Sequence, residues 1–247
     1  MGDVLIVTGG SRGIGRAAAL QAGAAGYHVV VNYLANATAA EAVVEAIGEA
    51  GGRALAVQGD VGREADVLAL FGAADALGPL AGLVNNAGIV DQSARLVDIS
   101  ADRITRLMAA NVVGSLLCAR EAVRRMSTQR GGRGGVIVNV SSRAAVLGGP
   151  NWYVDYAASK GAIDSFTRGL ALEVADEGIR VVGVRPGIID TEIHASGGDP
   201  DRVARLSESL PMKRAGTADE VADAILWLLS DKASYVTGTT IDVSGGR

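Results

Sequence analysis

The sequence predicts a doubly wound α/β fold, a parallel sheet of about seven strands flanked by helices on both faces, and three observations point to it. Short β-branched runs recur along the chain. Ala-, Leu- and Glu-rich segments long enough for helices separate them. The runs are continuously apolar rather than alternating, the pattern of strands buried on both sides.

In order the runs are Val4-Leu5-Ile6-Val7, Val29-Val30-Val31, Leu55-Ala56-Val57, Leu83-Val84, Val136-Ile137-Val138, Val181-Val182-Gly183-Val184 and Ile241-Asp242-Val243. The last lies in a tail, 235–246, that reads as the final edge strand and its approach. Right-handed crossovers between such strands place a nucleotide-sized crevice at their carboxyl ends. With 247 residues, 49% hydrophobic and 20% charged, the chain suits one large domain spanning 1–247. Its 34 glycines against 5 prolines point to tight turns rather than a linker, and no Ser/Gly-rich stretch or repeat divides it.

A formal net charge of −4 argues against nucleic-acid binding, which needs a positive surface. The one basic cluster, Arg124, Arg125, Arg130 and Arg133, reads first as a solvated helix end and loop, with a docking patch for an acidic partner as the alternative. Cys118 is the only cysteine, so an intrachain disulfide is excluded, and its apolar neighbours suggest a small buried side chain rather than a nucleophile. His28 and His194 are the only histidines and have no cysteine near them, which gives no zinc pattern. The first apolar run has no basic stretch before it, no run reaches membrane length, and Ile6 breaks a myristoylation motif at Gly2. A cytoplasmic protein with no membrane or nucleic-acid partner is expected.

Chemistry begins directly after the first strand, at Thr8-Gly9-Gly10-Ser11-Arg12-Gly13-Ile14-Gly15, which runs into an alanine-rich helix. Gly9 can make the sharp exit turn, Gly13 lets backbone approach a pyrophosphate, and Gly15 lets the helix sit close to the strand. The helix N-terminus then offers N–H groups and positive dipole to phosphates. Here the chain resembles the short-chain dehydrogenase/reductase family, whose TGxxxGxG loop is matched by Thr8 through Gly15, and the resemblance continues along almost the whole chain. Asp60-Val61 resembles the family's adenine-contacting pair, and Asn85-Asn86-Ala87-Gly88 its NNAG segment. The resemblance implies a single-domain Rossmann-like fold and cofactor contacts from Gly9, Ser11, Arg12, Gly13, Ile14, Gly15, Asp60, Val61, Asn86, Ala87 and Gly88.

NAD-specific members of the family usually end the second strand with an acidic residue; this chain reads Val31-Asn32-Tyr33 there. Without a carboxylate to repel it, a 2′-phosphate could pair with Arg12 through charge-assisted hydrogen bonds. Asn32 and Tyr33 are therefore expected at the adenosine end, and NADP(H) is favoured over NAD(H).

After the fifth run, Asn139-Val140-Ser141-Ser142 leads through a glycine-containing loop to Tyr156-Ala157-Ala158-Ser159-Lys160, the YxxxK spacing. On a helix that begins near Tyr153, Tyr156 and Lys160 lie one turn apart on one face. Hydride transfer to a carbonyl builds negative charge on oxygen, which must be stabilised and protonated. Tyr156 would supply or accept that proton. A free phenol titrates near ~10, so a phenolate at neutral pH needs a nearby cation, and Lys160 can be it; a lowering of about 2–3 units corresponds to roughly 3–4 kcal/mol. By resemblance Lys160 also binds the nicotinamide ribose, Ser142 bonds the substrate oxygen, and Asn111 supports a water-mediated proton relay. Ser141 rivals Ser142, and Tyr153 rivals Tyr156 with the longer spacing of the related enoyl reductases.

On the substrate side, Arg185-Pro186-Gly187-Ile188-Ile189-Asp190-Thr191 resembles the family's PG segment, which implies that Pro186, Gly187, Ile189 and Thr191 approach the nicotinamide. The stretch 192–216, with Gly197-Gly198, Pro200 and Pro211, reads as a mobile substrate lid. Trp152, Tyr153 and His194 are candidates for an apolar or aromatic pocket. The substrate is expected to be a small carbonyl compound or alcohol. An acyl carrier protein is an open partner for the arginine cluster, and sugars and secondary alcohols stand equally open. The resemblance also implies a homotetramer. A different class of function, a nucleotide sensor or scaffold without a reaction, is disfavoured by the complete set Asn111, Ser142, Tyr156 and Lys160.

Overall fold

The computed structural model describes residues 2–192, 198–199 and 201–247. His194, Gly197 and Pro200 therefore lie outside the described residues, as do the other positions of 193–197 in the expected lid. Seven strands, β1 Val4–Val7, β2 His28–Tyr33, β3 Arg53–Gln58, β4 Leu80–Asn85, β5 Gly135–Val140, β6 Ile179–Pro186 and β7 Thr240–Val243, form one sheet in the order β3-β2-β1-β4-β5-β6-β7. All neighbouring pairs are parallel. The chain therefore winds outward from β1 to β3, then reverses to the other side at β4, and the switch between β1 and β4 opens a crevice at their carboxyl ends.

Helices α1 Gly13–Ala24, α2 Ala37–Glu49, α3 Glu64–Asp75, α4 Ala101–Met108, α5 Gly114–Met126, α6 Ala144–Leu147, α7 Val154–Glu173, α8 Arg202–Ser207 and α9 Ala218–Leu229 connect and cover the strands. Side chains alternate across the sheet, and both faces are buried. Val7, Val29 and Val31 pack with Ala18 of α1 and Val221 and Ile225 of α9. Ile6, Val30 and Ile137 pack on the opposite side with Phe71 of α3 and Cys118 and Met126 of α5. This two-sided burial explains why the central strands read as unbroken apolar runs. β3 departs from that pattern: Leu55 is 38% exposed, because an edge strand has no neighbour on one flank.

Side chains set several helix starts, among them Asn36 at α2, which accepts from Ala39 N. Ser100 caps α4 by accepting from Arg103 N, and Thr217 with Glu220 forms a reciprocal capping box on α9, which Arg214 reinforces by pairing with Glu220. Between α4 and α5 the helix widens into a π turn, Ala109–Val113, a local excess of one residue that turns Asn111 inward.

Candidate active site

The carboxyl ends of β1 and β4 are stitched together by two side chains. Thr8 Oγ1 donates to Val84 O at 3.3 Å and accepts from the N–H groups of Asn86 and Ala87, each at 3.0 Å. Asn86 Nδ2 donates in return to the carbonyls of Thr8 (2.9 Å) and Gly9 (3.0 Å). Gly9 and Gly13 have φ of +60° and +51°, in the left-handed region that favours glycine. A Cβ on Gly15 would lie 2.3 Å from Gly9 O and 2.4 Å from Asn86 Nδ2, so this position admits no side chain. Arg12 is exposed and extended at the α1 N-cap without capping it, and the first turn of α1 holds no acidic residue. Ser11 and Ile14 flank it half-buried. The loop thus presents backbone N–H groups and the positive end of a helix, the arrangement that holds phosphates.

Asn32, expected at the adenosine end, has its side chain engaged within the chain. It is 2% exposed, and its amide accepts from Gly9 N (3.3 Å) and donates to Gly59 O (3.0 Å), so the side chain braces the glycine loop from beneath against the exit of β3. Tyr33 follows it half-buried. Asp60 Oδ1 accepts from Gly62 N at 2.9 Å, which shapes the turn after β3. Val61 is buried against Gly114, where a Cβ would come within 2.6 Å of Val61 Cγ2.

Asn111 is fully buried. Its Oδ1 accepts from Ile89 N at 2.7 Å, and its Nδ2 donates to Ile89 O (2.9 Å) and Ser159 Oγ (3.1 Å), tying the segment after β4 to α7. A second buried chain locks the same elements: Asn85 Nδ2 donates to Asn139 Oδ1 (2.9 Å) and Asn139 Nδ2 to Thr167 Oγ1 (2.9 Å). Gly88 sits where a Cβ would lie 3.2 Å from Asn111 Oδ1 and 3.6 Å from Lys160 Nζ.

Lys160 is buried, with Nζ donating to Val140 O at 2.7 Å and lying 5.8 Å from the centre of the Tyr156 ring. Burial lowers its pKa from the usual lysine range to about 8, opposed by the Asp164 carboxylate one turn further along α7. Tyr156 is half-buried and meets Tyr153 edge-on at 5.8 Å, and Tyr153 meets Trp152 edge-on at 6.1 Å. The two candidate serines point differently. Ser141 Oγ donates back to Lys160 O at 3.2 Å in a buried contact, whereas Ser142 is half-buried with Oγ accepting from Ala144 N at 3.1 Å.

These groups converge on one cavity of about 370 Å³. Of the residues selected from the sequence, Ile14, Asn86, Gly88, Ser142, Tyr156, Lys160, Pro186, Gly187, Ile189 and Thr191 are on its wall, as are the rivals Ser141 and Tyr153 and the pocket candidate Trp152. Gly187 admits no side chain there, because a Cβ would stand 2.8 Å from Ser244 Cα. Gly13 and Thr191 border a second recess with Arg16 and Asp190. Gly9, Ser11, Arg12, Gly15, Asn32, Tyr33, Asp60, Val61, Ala87 and Asn111 stand off the cavity wall, along or beneath the crevice. The wall also includes Val90, Asp91, Ser93, Arg143, Asp199 and Arg247, which no motif had singled out. Only their position just after a recognised motif could have flagged Val90, Asp91, Ser93 and Arg143.

Away from the cavity, Arg124 pairs with Glu121, Arg125 with Asp75 and Glu121, and Arg133 with Asp3, so these members of the arginine cluster are already engaged within the chain. Among the described residues no group of three or more His, Cys, Asp or Glu could hold a metal ion, and no helix is long and apolar enough to cross a membrane.

A nucleotide loop at the topological switch point of a parallel sheet, facing a Tyr–Lys pair on a helix, defines a dinucleotide-dependent oxidoreductase class. The chain belongs to the short-chain dehydrogenase/reductase family: residues 9–247 match the family model described as Enoyl-(Acyl carrier protein) reductase. It is 57% identical over 245 residues, 99% of each chain, to an Escherichia coli (strain K12) protein described as "Uncharacterized oxidoreductase YgfF". It is 41% identical over 247 residues to 3beta-hydroxysteroid dehydrogenase 1 of Eggerthella lenta, covering 99% of this chain and 93% of that one. Among solved structures, the 3-ketoacyl-(acyl-carrier-protein) reductase of Brucella melitensis complexed with NADH superposes with a TM-score of 0.91 at 34% identity, covering 100% of this chain and 98% of that one. The protein is an oxidoreductase of this family.

Proposed function

We propose that this chain interconverts a carbonyl and a secondary alcohol by hydride transfer with NADP(H), with Tyr156 giving or taking the proton. The observation that carries this reading is the convergence of Tyr156, Ser142 and the buried Lys160 on one cavity that also reaches Asn86 and the Pro186-Gly187 segment. The glycine loop fits a dinucleotide: left-handed φ at Gly9 and Gly13 brings bare backbone to the crevice, where a Cβ on Gly13 would crowd Thr191 at 3.3 Å. Arg12, Gly13 and the first turn of α1 would hold the pyrophosphate end, and Lys160 and Thr191 the nicotinamide end. When bound, the cofactor supplies or receives the hydride.

The chain's own residues handle the oxygen and its proton. Ser142 Oγ would hydrogen-bond the substrate oxygen beside Tyr156. A buried ammonium is poorly screened, so Lys160 favours the phenolate of Tyr156 more strongly than a solvated lysine could. Asn111 holds the backbone of Ile89 and the hydroxyl of Ser159, fixing the wall behind Lys160 and supporting a relay of protons through water. For the nucleotide, β2 ends without a carboxylate and Arg12 stands exposed in the loop, an arrangement suited to a 2′-phosphate. Asn32 would act on this choice by shaping the loop. NAD(H) is the alternative, given the NADH in the Brucella melitensis neighbour.

An enoyl reductase is the second reading, favoured by the family model's description and by Tyr153 on the cavity wall beside Tyr156. A homotetramer is part of the proposal, supported by exposed Val113 and Leu116 beside and on α5 and Leu172 on α7; sedimentation at micromolar concentration showing monomer alone would contradict it. The function itself is tested by following NADPH and NADH consumption with ketones, aldehydes, 3-oxoacyl and enoyl thioesters, and the reverse reaction with sugars and secondary alcohols. Carbonyl turnover preferring NADPH is expected, with Tyr156→Phe reducing it about 10²–10⁴-fold at unchanged nucleotide affinity. Undiminished turnover in that variant, or turnover of enoyl thioesters alone, overturns the proposal.

A further inference from the structure

The substrate-side wall of the cavity carries Val90, Asp91 and Ser93 on a stretch, 86–95, with no helix or strand of its own. Its position is set by α4. Arg103, 9% exposed, donates from Nε to Asp155 Oδ2 (2.8 Å), from Nη2 to Asp155 Oδ1 (3.2 Å) and from Nη1 to the carbonyl of Gln92 (2.6 Å). Asp155 is itself 8% exposed, lies in the first turn of α7 and immediately precedes Tyr156. A backbone bond from Ala94 N to Trp152 O (2.8 Å) runs alongside, and Arg106 pairs with Asp91. On the far side Gln92 meets the expected lid: a Cβ on Gly198 would stand 3.0 Å from Gln92 Cγ.

We propose that Arg103 is a positioning residue whose guanidinium fork fastens segment 89–95 to the first turn of the helix bearing Tyr156, holding the substrate wall, the lid contact and the proton donor in one geometry. This rests on the oxidoreductase reading above and deepens it. The chemistry requires arginine. Only a planar fork can serve both carboxylate oxygens and a third acceptor at once, whereas a lysine ammonium is a point donor. Stability alone is a poor reason for the pair, since the desolvation of two buried charges roughly cancels their attraction. Fixed geometry is what the arrangement supplies, and Asp155 is further suited to the positive end of α7.

Three variants test it: Arg103→Lys, Asp155→Asn, and the paired Arg103→Gln/Asp155→Asn, which strands no buried charge and so keeps the fold accessible. Two readouts are compared, steady-state kinetics on the carbonyl substrate and hydrogen exchange of the backbone in 89–95 with nucleotide bound. The expected result is a rise in carbonyl KM of about tenfold or more, larger in the paired variant than in Arg103→Lys, with nucleotide affinity unchanged and exchange accelerated in 89–95 but not in the central strands. Wild-type KM with unchanged exchange in 89–95 overturns the proposal, as does a uniform loss of protection across the sheet together with weaker nucleotide binding, which would mark a merely structural pair. Because exchange needs no turnover, the clamp is decided even if Tyr156→Phe shows the reaction to have been misassigned.

Discussion

Gly15→Ala is the sharpest test of the crevice, because the structure states what the new methyl would strike. Its Cβ would lie 2.3 Å from Gly9 O and 2.4 Å from Asn86 Nδ2, where an ordinary carbon–oxygen contact needs about 3.3 Å. The loop and the Asn86 amide must therefore separate by about 1 Å. That motion breaks the two bonds from Asn86 Nδ2 to Thr8 O and Gly9 O, worth about 1 kcal/mol each, and overpacking adds about 1–3 kcal/mol. Replacing a helical glycine by alanine returns about 1 kcal/mol, which leaves a net loss of roughly 2–4 kcal/mol. For a chain of this size that lowers Tm by about 4–16 °C. Nucleotide affinity should also fall by about tenfold or more, since the displaced groups line the proposed phosphate site. Gly72→Ala is the matched control: it sits on the exposed face of α3 with nothing within 4 Å of the new Cβ, and should gain about 0.5–1 kcal/mol. Differential scanning calorimetry with a fluorescence titration of NADPH reads both. A Gly15→Ala protein that melts with the wild type and binds nucleotide equally well refutes the account of the loop.

Two further expectations concern buried titratable groups. Lys160 titrates near 8 in the folded chain against the ordinary 10.5, so between these values the unfolded chain holds a proton that the folded chain has released. Unfolding free energy therefore climbs with pH across that window, the contribution is lost as pH falls through about 8, and Lys160→Met removes the slope; urea midpoints of both proteins that differ by a constant amount from about pH 7.5 to 10 would contradict it. The Cys118 thiol is fully buried, and burial, aided by the Glu121 carboxylate, pushes its pKa up to about 12. It should be inert to Ellman's reagent in the native protein and release one equivalent only on denaturation; rapid native labelling would show that α5 opens readily.

The central strands could be read directly because their burial on both faces writes an apolar residue at every position, and the glycine loop because Gly9, Gly13 and Gly15 answer to local backbone conformation and immediate contact. Tyr156 and Lys160 were legible for the same reason: one helical turn separates them. β3 was harder to judge, since its exposure follows from its place at the sheet edge and no local pattern states strand order. Asn32 marks the same boundary. It was expected at the adenosine end from its place after β2, but that its side chain bonds Gly9 and Gly59, residues far from it in sequence, no local pattern states.

What the sequence by itself determined is therefore whatever depends on neighbours along the chain: the element types, the glycine loop, the Tyr–Lys spacing and, through them, the family. Tertiary structure alone decided which buried polar groups meet. Asn111 turns inward on a π bulge to hold Ile89 and Ser159, Ser141 bonds back to α7 while Ser142 accepts from Ala144 N, and Arg103 reaches Asp155 across 52 positions. The physical reason is that turns and helix faces are governed by short-range sterics, whereas a hydrogen bond between distant residues exists only after the sheet has brought its strand ends together.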